Sequence, residues 1–278
     1  MTDRRPEVRN FRTSDGLRLG FVTDDYTDPW RPSDTVVLLH AAQGCARRFY
    51  AWVPHLAREF CVVRPDIRGH GESEVPGPTS ALDMDRLVAD VIELIDHLGC
   101  ERVHLAGSSA GAMIAMCAAM ENPHRVQSLA SFAAPAGMSD VAFDLEAWAA
   151  DIKAKGMRKF LSDSIWHRFD VDHTDPRLIE WWLDLAAETN ADLDYAARFV
   201  SVMASLDLRD GLGKIACPTL SVVPGDDPEH SLAEYEILRD RIRNIEFVVF
   251  NGFRHNITDA VPDRCAKQLR DFLTGLRT

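Results

Sequence analysis

Short apolar runs alternate along this chain with patterns typical of helices. Residues 35–40, 60–63 and 218–223 are dominated by apolar side chains, as parallel strands that are buried on both faces are. Residues 46–58 and 83–98 instead repeat apolar side chains with a helical period, clearest over 83–98. Because parallel strands require long crossover connections, this alternation predicts right-handed βαβ units and a parallel sheet.

The order of these patterns also predicts how the domain is divided. Residues 8–13 and 17–23 have strand character and are separated by a Ser-Asp-Gly turn signal, which predicts a hairpin at the sheet edge. The alternation stops over 137–211, where several helices are predicted. We therefore predict an α/β fold with a mostly parallel eight-stranded sheet flanked by helices. Its core would comprise 1–136 and 212–278, and the intervening segment would form a helical cap.

Charge, hydropathy and cysteine usage limit the partners of the chain. Asp and Glu number 43 against 31 Lys and Arg, a formal net charge of -12 that would repel nucleic acid and anionic membranes. The longest apolar run, 112–120, is about half of the roughly 20 residues that a membrane-spanning helix needs. Residues 1–7 lead into no apolar signal segment, and the cysteines lack metal-ligand spacing. We expect a cytoplasmic protein without structural disulfides that acts on a small molecule.

The sequence Gly-Ser-Ser-Ala-Gly at 107–111 follows a predicted strand and opens into a run of small residues with helical character. A serine at the apex of a sharp strand-to-helix turn needs a strained backbone and neighbours, two positions away, with little or no side chain. Gly107 and Gly111 meet this requirement and make Ser109, rather than Ser108, the central serine. Such a pentapeptide is often a plain turn, but its position between strand and helix favours a nucleophile elbow.

A serine hydroxyl is a weak nucleophile at neutral pH, and it needs a general base that a third group orients. Asp227 lies just beyond the predicted strand 218–223, and His255 just beyond the next strand, 245–250. Sites in open α/β sheets assemble in the loops that follow the carboxyl ends of strands. An isolated aspartate is more often a turn former, and an isolated loop histidine is more often solvated. The order Ser109, Asp227, His255 after three separate strands nevertheless favours a catalytic triad.

On these motifs the chain resembles the α/β-hydrolase superfamily, in particular its cap-bearing branch of serine esterases, enol-lactonases and C–C bond hydrolases. The resemblance covers nearly the whole chain and includes residues 38–40, 65–73, 107–111, 122–126, 218–220, 225–228 and 252–255. It implies that Ser109 is the nucleophile, His255 the general base and then acid, and Asp227 the orienting carboxylate. It also implies an oxyanion hole made by the backbone amides of Ala110 and Ala42.

Two features depart from the usual pattern of that family. The acid usually lies three positions after the glycine that follows the strand, whereas Asp227 lies two positions after Gly225. Asp226 is therefore a second candidate for the acid, and Asp140, beyond the sixth strand, is a third. The family commonly has His-Gly after its third strand, where this chain has His-Ala at 40–41.

Other chemistries found on similar folds fit the sequence less well. Epoxide hydrolases and haloalkane dehalogenases of this fold use an aspartate at the position that Ser109 occupies. Residues 69–71 lack the remaining glycines of a dinucleotide fingerprint, so no NAD site is expected. His230 lies three positions after Asp227, but its sequence neighbours lack metal-ligand spacing. We therefore expect His230 at the surface, with neither a metal nor a cofactor.

The chain is thus predicted to be a serine hydrolase that cleaves a carboxylic ester or a lactone through an acyl-enzyme. Four of its six tryptophans fall in 137–211. Most aromatic residues there should pack the helices together, while a few should line an apolar pocket for a substrate of small to medium size. Two alternatives stay open: C–C bond hydrolysis or cofactor-free oxygenation by the same triad, and ligand binding without catalysis.

Overall fold

The computed structural model describes residues 7–138 and 145–277. Within these ranges eight strands form one sheet: β1 Arg9–Arg12, β2 Arg18–Asp24, β3 Thr35–Leu39, β4 Cys61–Pro65, β5 Val103–Ser108, β6 Val126–Phe132, β7 Thr219–Pro224 and β8 Ile245–Phe250. Their order is β1-β2-β4-β3-β5-β6-β7-β8. β2 is antiparallel to β1 and β4, and the remaining pairs are parallel. The predicted fold class and edge hairpin are confirmed.

Helices cover both faces of the sheet, which explains the apolar runs of the central strands. The helices are α1 Val53–Leu56, α2 Met84–His97, α3 Ala110–Glu121, α4 Leu145–Lys155, α5 Met157–Asp163, α6 Ile165–Arg168, α7 Pro176–Thr189, α8 Leu193–Ala204, α9 Leu232–Arg241, α10 Ile257–Ala260 and α11 Pro262–Gly275. Apolar residues of α2 and α3 pack on one face of the sheet, and those of α1 and α11 pack on the other. Every residue of β5 and β7 is buried as a result.

One predicted helix is wrong. The pattern over 46–58 forms a 3₁₀ turn at Ala46–Phe49 and the short helix α1, rather than one continuous helix. Pro54 lies in the first turn of α1. Because proline has no N–H, it cannot bond to the carbonyl four residues earlier, and a continuous helix through this position would lose that bond.

The segment between β6 and β7 holds α4–α8, where the alternation was predicted to stop. Trp182 and Phe169 are buried in an apolar cluster formed within this segment. Tyr195 and Phe199 of α8 instead join the core that α2 and α3 form, and the Tyr195 hydroxyl donates to the carbonyl of Arg68 at 2.6 Å. Helix α8 therefore fixes the segment to the sheet. These four aromatic residues pack helices, as expected of most aromatics in this region.

Two further properties concern the part of the chain that the structure describes. It contains no helix that is both long enough and apolar enough to cross a membrane. All six cysteines are free, and four of them, Cys45, Cys117, Cys217 and Cys265, are buried. Burial raises the pKa of the Cys117 thiol to about 12, so this thiol stays protonated at neutral pH.

Candidate active site

Ser109 lies on a sharp turn between β5 and α3. Its φ is +49°, in the left-handed region that residues with a side chain rarely adopt. A Cβ on Gly107 would lie 2.4 Å from the backbone of α3, and one on Gly111 would lie 2.3 Å from a carbonyl oxygen at the end of β3. Both positions therefore require glycine. Ser109 is half-buried, whereas Ser108 is buried and its hydroxyl lies 3.0 Å from that of Thr258.

The structure brings Ser109, His255 and Asp227 together. Nε2 of His255 lies 3.1 Å from Oγ of Ser109, and Nδ1 of His255 lies 2.8 Å from Oδ2 of Asp227. Each residue follows a different parallel strand, so all three meet at the same edge of the sheet. In this arrangement His255 can accept the serine proton while the carboxylate holds its other ring nitrogen.

The other two candidates for the acid differ in position. Oδ2 of Asp226 accepts a hydrogen bond from the amide of Gly252 at 2.7 Å, which ties the loop after β7 to the loop after β8. Asp140 lies outside the described residues. Among the carboxylates that the structure describes, the one hydrogen-bonded to Nδ1 of His255 belongs to Asp227.

The carboxylate of Asp227 is buried and held in its charged form. Besides His255, it accepts the hydroxyl of Tyr235, and its Oδ1 accepts the amide of Glu229 at 2.8 Å. Burial alone would raise the pKa of Asp227, but the charge of His255 and these hydrogen bonds lower it to about 2. Tyr235 is buried, and burial followed by the charge of Asp227 raises its pKa, so its hydroxyl remains a donor.

A second carboxylate, Glu229, lies beside the candidate base, and sequence reasoning missed it. Its Oε2 is 3.8 Å from Nε2 of His255, and its Oε1 is 4.0 Å from both Arg168 and His167 of α6. These separations exceed hydrogen-bond length, so among the described residues the carboxylate has only loose ionic partners. One signal was available in the sequence, because Glu229 lies two positions after Asp227 in the same loop.

Glu229 changes the protonation of the candidate base. Burial would lower the pKa of His255, but the carboxylates of Glu229 and Asp227 outweigh burial and raise it to about 9. At neutral pH His255 is therefore mostly protonated in the free protein. It can accept a proton from Ser109 only after losing its own, so any reaction that depends on this base should accelerate as the pH rises.

The loop after β3 holds one backbone amide in a fixed direction. Nε2 of His40 accepts the amide of Ile67 at 3.0 Å, so Nδ1 carries the ring proton and donates to the carbonyl of Ala41 at 2.8 Å. The amide of Gly44 donates to the same oxygen at 2.9 Å. Because the C=O and the following N–H of a trans peptide point in opposite directions, these bonds also fix the N–H of Ala42.

The amides of Ala42 and Ala110 have no acceptor among the described residues. Ala110 is the first residue of α3, so its N–H lacks an intrahelical partner and carries part of the positive end of the helix dipole. The two amides lie in loops that follow neighbouring strands, since Leu39 of β3 pairs with Gly107 of β5. This placement suits the predicted oxyanion hole, and that role stays a prediction.

His230 is buried, and the expectation that it lies at the surface is wrong. Its side chain is 4% exposed, and its ring centroid lies 5.8 Å from that of His255 and 5.9 Å from that of Tyr235. The sequence neighbours of His230 gave no sign of this, because the second histidine comes from the loop after the next strand. Residues that are distant in the sequence thus form a cluster here.

Helix α6 of the segment between β6 and β7 contacts the loop that carries His255. The amide of Asn256 donates to the carbonyl of Arg168 at 3.1 Å, and the guanidinium of Arg254 donates to the carbonyl of Trp166. Both acceptors are main-chain groups of α6, so the two bonds depend on its position rather than on its side chains. A shift of α6 would therefore move the loop that carries the candidate base, His255.

Comparison with known proteins agrees with the geometry. A family model described as alpha/beta hydrolase fold matches residues 34–170. 3-Oxoadipate enol-lactonase 1 of Acinetobacter baylyi is 27% identical over 208 residues, which cover 72% of this chain and 75% of that protein. Fluoroacetate dehalogenase of a Burkholderia species is 27% identical over 285 residues, covering 87% of this chain and 88% of that protein.

Solved structures show the same architecture. The enol-lactonase from Burkholderia xenovorans LB400 superposes with a TM-score of 0.85, at 23% identity, over 96% of this chain and 100% of that chain. At this identity the likeness concerns the fold. The family match spans β3 to β6 and the turn that carries Ser109, and the superposition spans almost the whole chain, so the chain has the α/β-hydrolase fold.

Proposed function

We propose that this protein is a serine hydrolase that cleaves a carboxylic ester or a lactone through an acyl-enzyme. The observation that carries the proposal is the position of Ser109, strained at φ +49° with its Oγ 3.1 Å from Nε2 of His255. A hydroxyl so placed is both accessible and next to its base. The buried, charged carboxylate of Asp227 supplies the third member of the triad.

In the proposed reaction Ser109 attacks the substrate carbonyl while Nε2 of His255 takes its proton. The amides of Ala42 and Ala110 stabilise the oxyanion of the tetrahedral intermediate. His255 then protonates the leaving oxygen, and the C–O bond of the substrate breaks to give the acyl-enzyme. Water, deprotonated by His255, attacks the acyl-enzyme and releases the acid and free Ser109. Asp227 stays ionised throughout.

The nucleophile favours acyl transfer over attack on an alkyl carbon. Among the relatives are a lactonase and a dehalogenase, so sequence similarity alone leaves both reactions open. An aspartate that displaces a halide forms an ester, which water can hydrolyse. Ser109 in the same displacement would form an ether, which a triad cannot hydrolyse, whereas its attack on a carbonyl forms an ester. Turnover therefore requires a carbonyl substrate.

The proposal includes residues 137–211 as a cap above the triad and an apolar substrate of small to medium size. Two observations support it: the helices of this segment have an apolar core of their own, and α6 is bonded to the loop of His255. A segment that holds its own shape and is bonded to the loop of His255 could form one wall of a substrate pocket.

Active-site labelling and a substrate panel test the proposed function. A fluorophosphonate should modify Ser109 stoichiometrically, as peptide mass spectrometry would detect. Among p-nitrophenyl esters, lactones and vinylogous diketones, the highest kcat/KM should belong to an ester or a lactone. A preference for the diketones would replace the proposal by C–C bond hydrolysis. Folded protein that is not labelled would instead support a binding protein.

Glu229→Gln should shift the acid limb of the kcat/KM profile to lower pH. In the wild type kcat/KM should rise until the pH approaches about 9, because His255 of the free enzyme must first be deprotonated. Glutamine keeps the size of the side chain and removes its charge, which is the largest influence raising the pKa of His255. The variant should therefore reach its plateau nearer to neutral pH.

The pH profiles of kcat/KM would be measured with EDTA present, so that metal ions do not affect them. Glu236→Gln in α9 removes the same charge from a partly exposed residue that pairs with Arg239 rather than with the triad, and it serves as the control. The acid limb of this control should coincide with that of the wild type. Coinciding limbs for the wild type and Glu229→Gln would show that Glu229 does not govern the base.

Ala42→Val tests the predicted oxyanion hole. A β-branched side chain restricts the backbone, so it should disturb the turn that directs the N–H of residue 42. We expect kcat to fall by up to about 10²-fold with a smaller change in KM, since the lost bond forms mainly in the transition state. Steady-state kinetics, with thermal unfolding to confirm the fold, would measure this. A pure KM effect would argue against the amide as a donor.

A further inference from the structure

Three potential metal ligands converge beside the triad. Glu229, His230 and His255 each present one ligand atom, and these atoms all lie within 4.8 Å of one another. Oε2 of Glu229 and Nε2 of His255 lie 3.8 Å apart. Two imidazoles with one carboxylate form a donor set that zinc and similar divalent ions favour.

His230 adds an independent observation. Its side chain is 4% exposed, and its Nδ1 is buried with no hydrogen-bond partner among the described residues. The nearest carboxylate to that nitrogen is Glu234, at 3.8 Å. A buried ring nitrogen without a partner is costly and calls for an explanation. The proposed acyl transfer gives His230 no role.

We propose that Glu229, His230 and His255 form a binding site for one divalent transition-metal ion such as Zn²⁺, and that a bound ion switches the triad off. Donors about 2.0–2.1 Å from a tetrahedral zinc ion lie roughly 3.3–3.4 Å apart, so Glu229 and His255 must draw closer by about 0.4 Å and the other pairs by up to about 1.4 Å. His230 precedes α9 in the loop after β7 and is outside regular secondary structure. It can therefore move with little loss of backbone hydrogen bonding.

Inhibition follows from the atom that the ion would use, and this step rests on the proposed function. A metal ion on Nε2 of His255 occupies the lone pair that would accept the proton of Ser109. Because Oγ of Ser109 lies 3.1 Å from the same nitrogen, the hydroxyl or a water molecule can fill the fourth coordination position. Binding is reversible: the ion displaces the proton that the free protein carries on Nε2 of His255, and this proton passes to water.

Zinc affinity tests the site without relying on activity. EDTA-treated, dialysed protein would be titrated with ZnCl₂ by calorimetry, and one ion per chain is expected. Glu229→Gln and His230→Phe should each weaken the affinity at least 10-fold. His173→Asn is the control, because His173 is exposed and pairs with Asp170 at 2.7 Å as an ordinary surface histidine does. The zinc affinity of the His173→Asn variant should equal that of the wild type.

Activity assays form the second arm. Zn²⁺ should inhibit the wild type, EDTA should restore it, and the inhibitory concentration for each variant, relative to its own metal-free rate, should follow its calorimetric Kd. Equal zinc affinity in the wild type, Glu229→Gln and His230→Phe would overturn the site. Because two ligand variants are compared with the wild type, the test can still be carried out if one of them does not fold. Should the protein lack hydrolase activity, calorimetry would still decide whether the site exists.

Discussion

Ser109→Ala should lower kcat for the best ester substrate by about 10⁴- to 10⁶-fold, because members of a triad act as a unit. The substitution removes the only atom that forms the acyl-enzyme in the proposed mechanism. Alanine should also be tolerated at φ +49° about as poorly as serine, so stability should change little. Rates corrected for the uncatalysed reaction, together with loss of fluorophosphonate labelling, would measure the effect.

The adjacent serine provides a matched control. Ser108 is buried, and its hydroxyl bonds to that of Thr258 rather than to the triad. Ser108→Ala should therefore cost about 1 kcal/mol of stability through the lost hydrogen bond and leave kcat within a few-fold of the wild type. Near wild-type activity in Ser109→Ala would remove Ser109 from the mechanism. A loss of kcat in Ser108→Ala as large as the loss expected for Ser109→Ala would also contradict the role of Ser109.

The sequence was informative wherever a local pattern has one structural solution. The runs at 35–40 and 218–223 form β3 and β7 because strands buried on both faces must be apolar throughout. The glycines at 107 and 111 pointed to a crowded turn because no larger residue fits there. Strand ends also predicted that Asp227 and His255 would approach each other, since parallel strands end at one edge of the sheet.

The rest of the site depends on contacts between loops that no local pattern encodes. Glu229 and His230 lie two and three positions after Asp227 in the sequence, yet their positions beside His255 depend on how the loops after β7 and β8 fold against each other. Tyr235 reaches Asp227 from α9, and no pattern in the sequence of that helix indicates this contact. The expectation for His230 failed for the same reason, because exposure is a property of the assembled loops.

Asp227→Asn should lower kcat by about 10⁴-fold, while Asp226→Asn should leave it within a few-fold of the wild type. Asparagine removes the charge that stabilises protonated His255 during the reaction, and its amide can hold the ring in the wrong tautomer. Asp226 accepts only the amide of Gly252, at 2.7 Å, among the described contacts, and an asparagine oxygen can accept the same bond. The two variants carry the same chemical change at adjacent positions.

The pair of variants assigns the acid from kinetics alone. A large loss in Asp226→Asn with little loss in Asp227→Asn would transfer the role to Asp226, as family spacing allowed. Little loss in either variant would leave Asp140 as the candidate that the sequence analysis raised. The expected result has a further signature: removing the charge of Asp227 lowers the pKa of His255, so the residual activity of Asp227→Asn should have its acid limb at lower pH than the wild type.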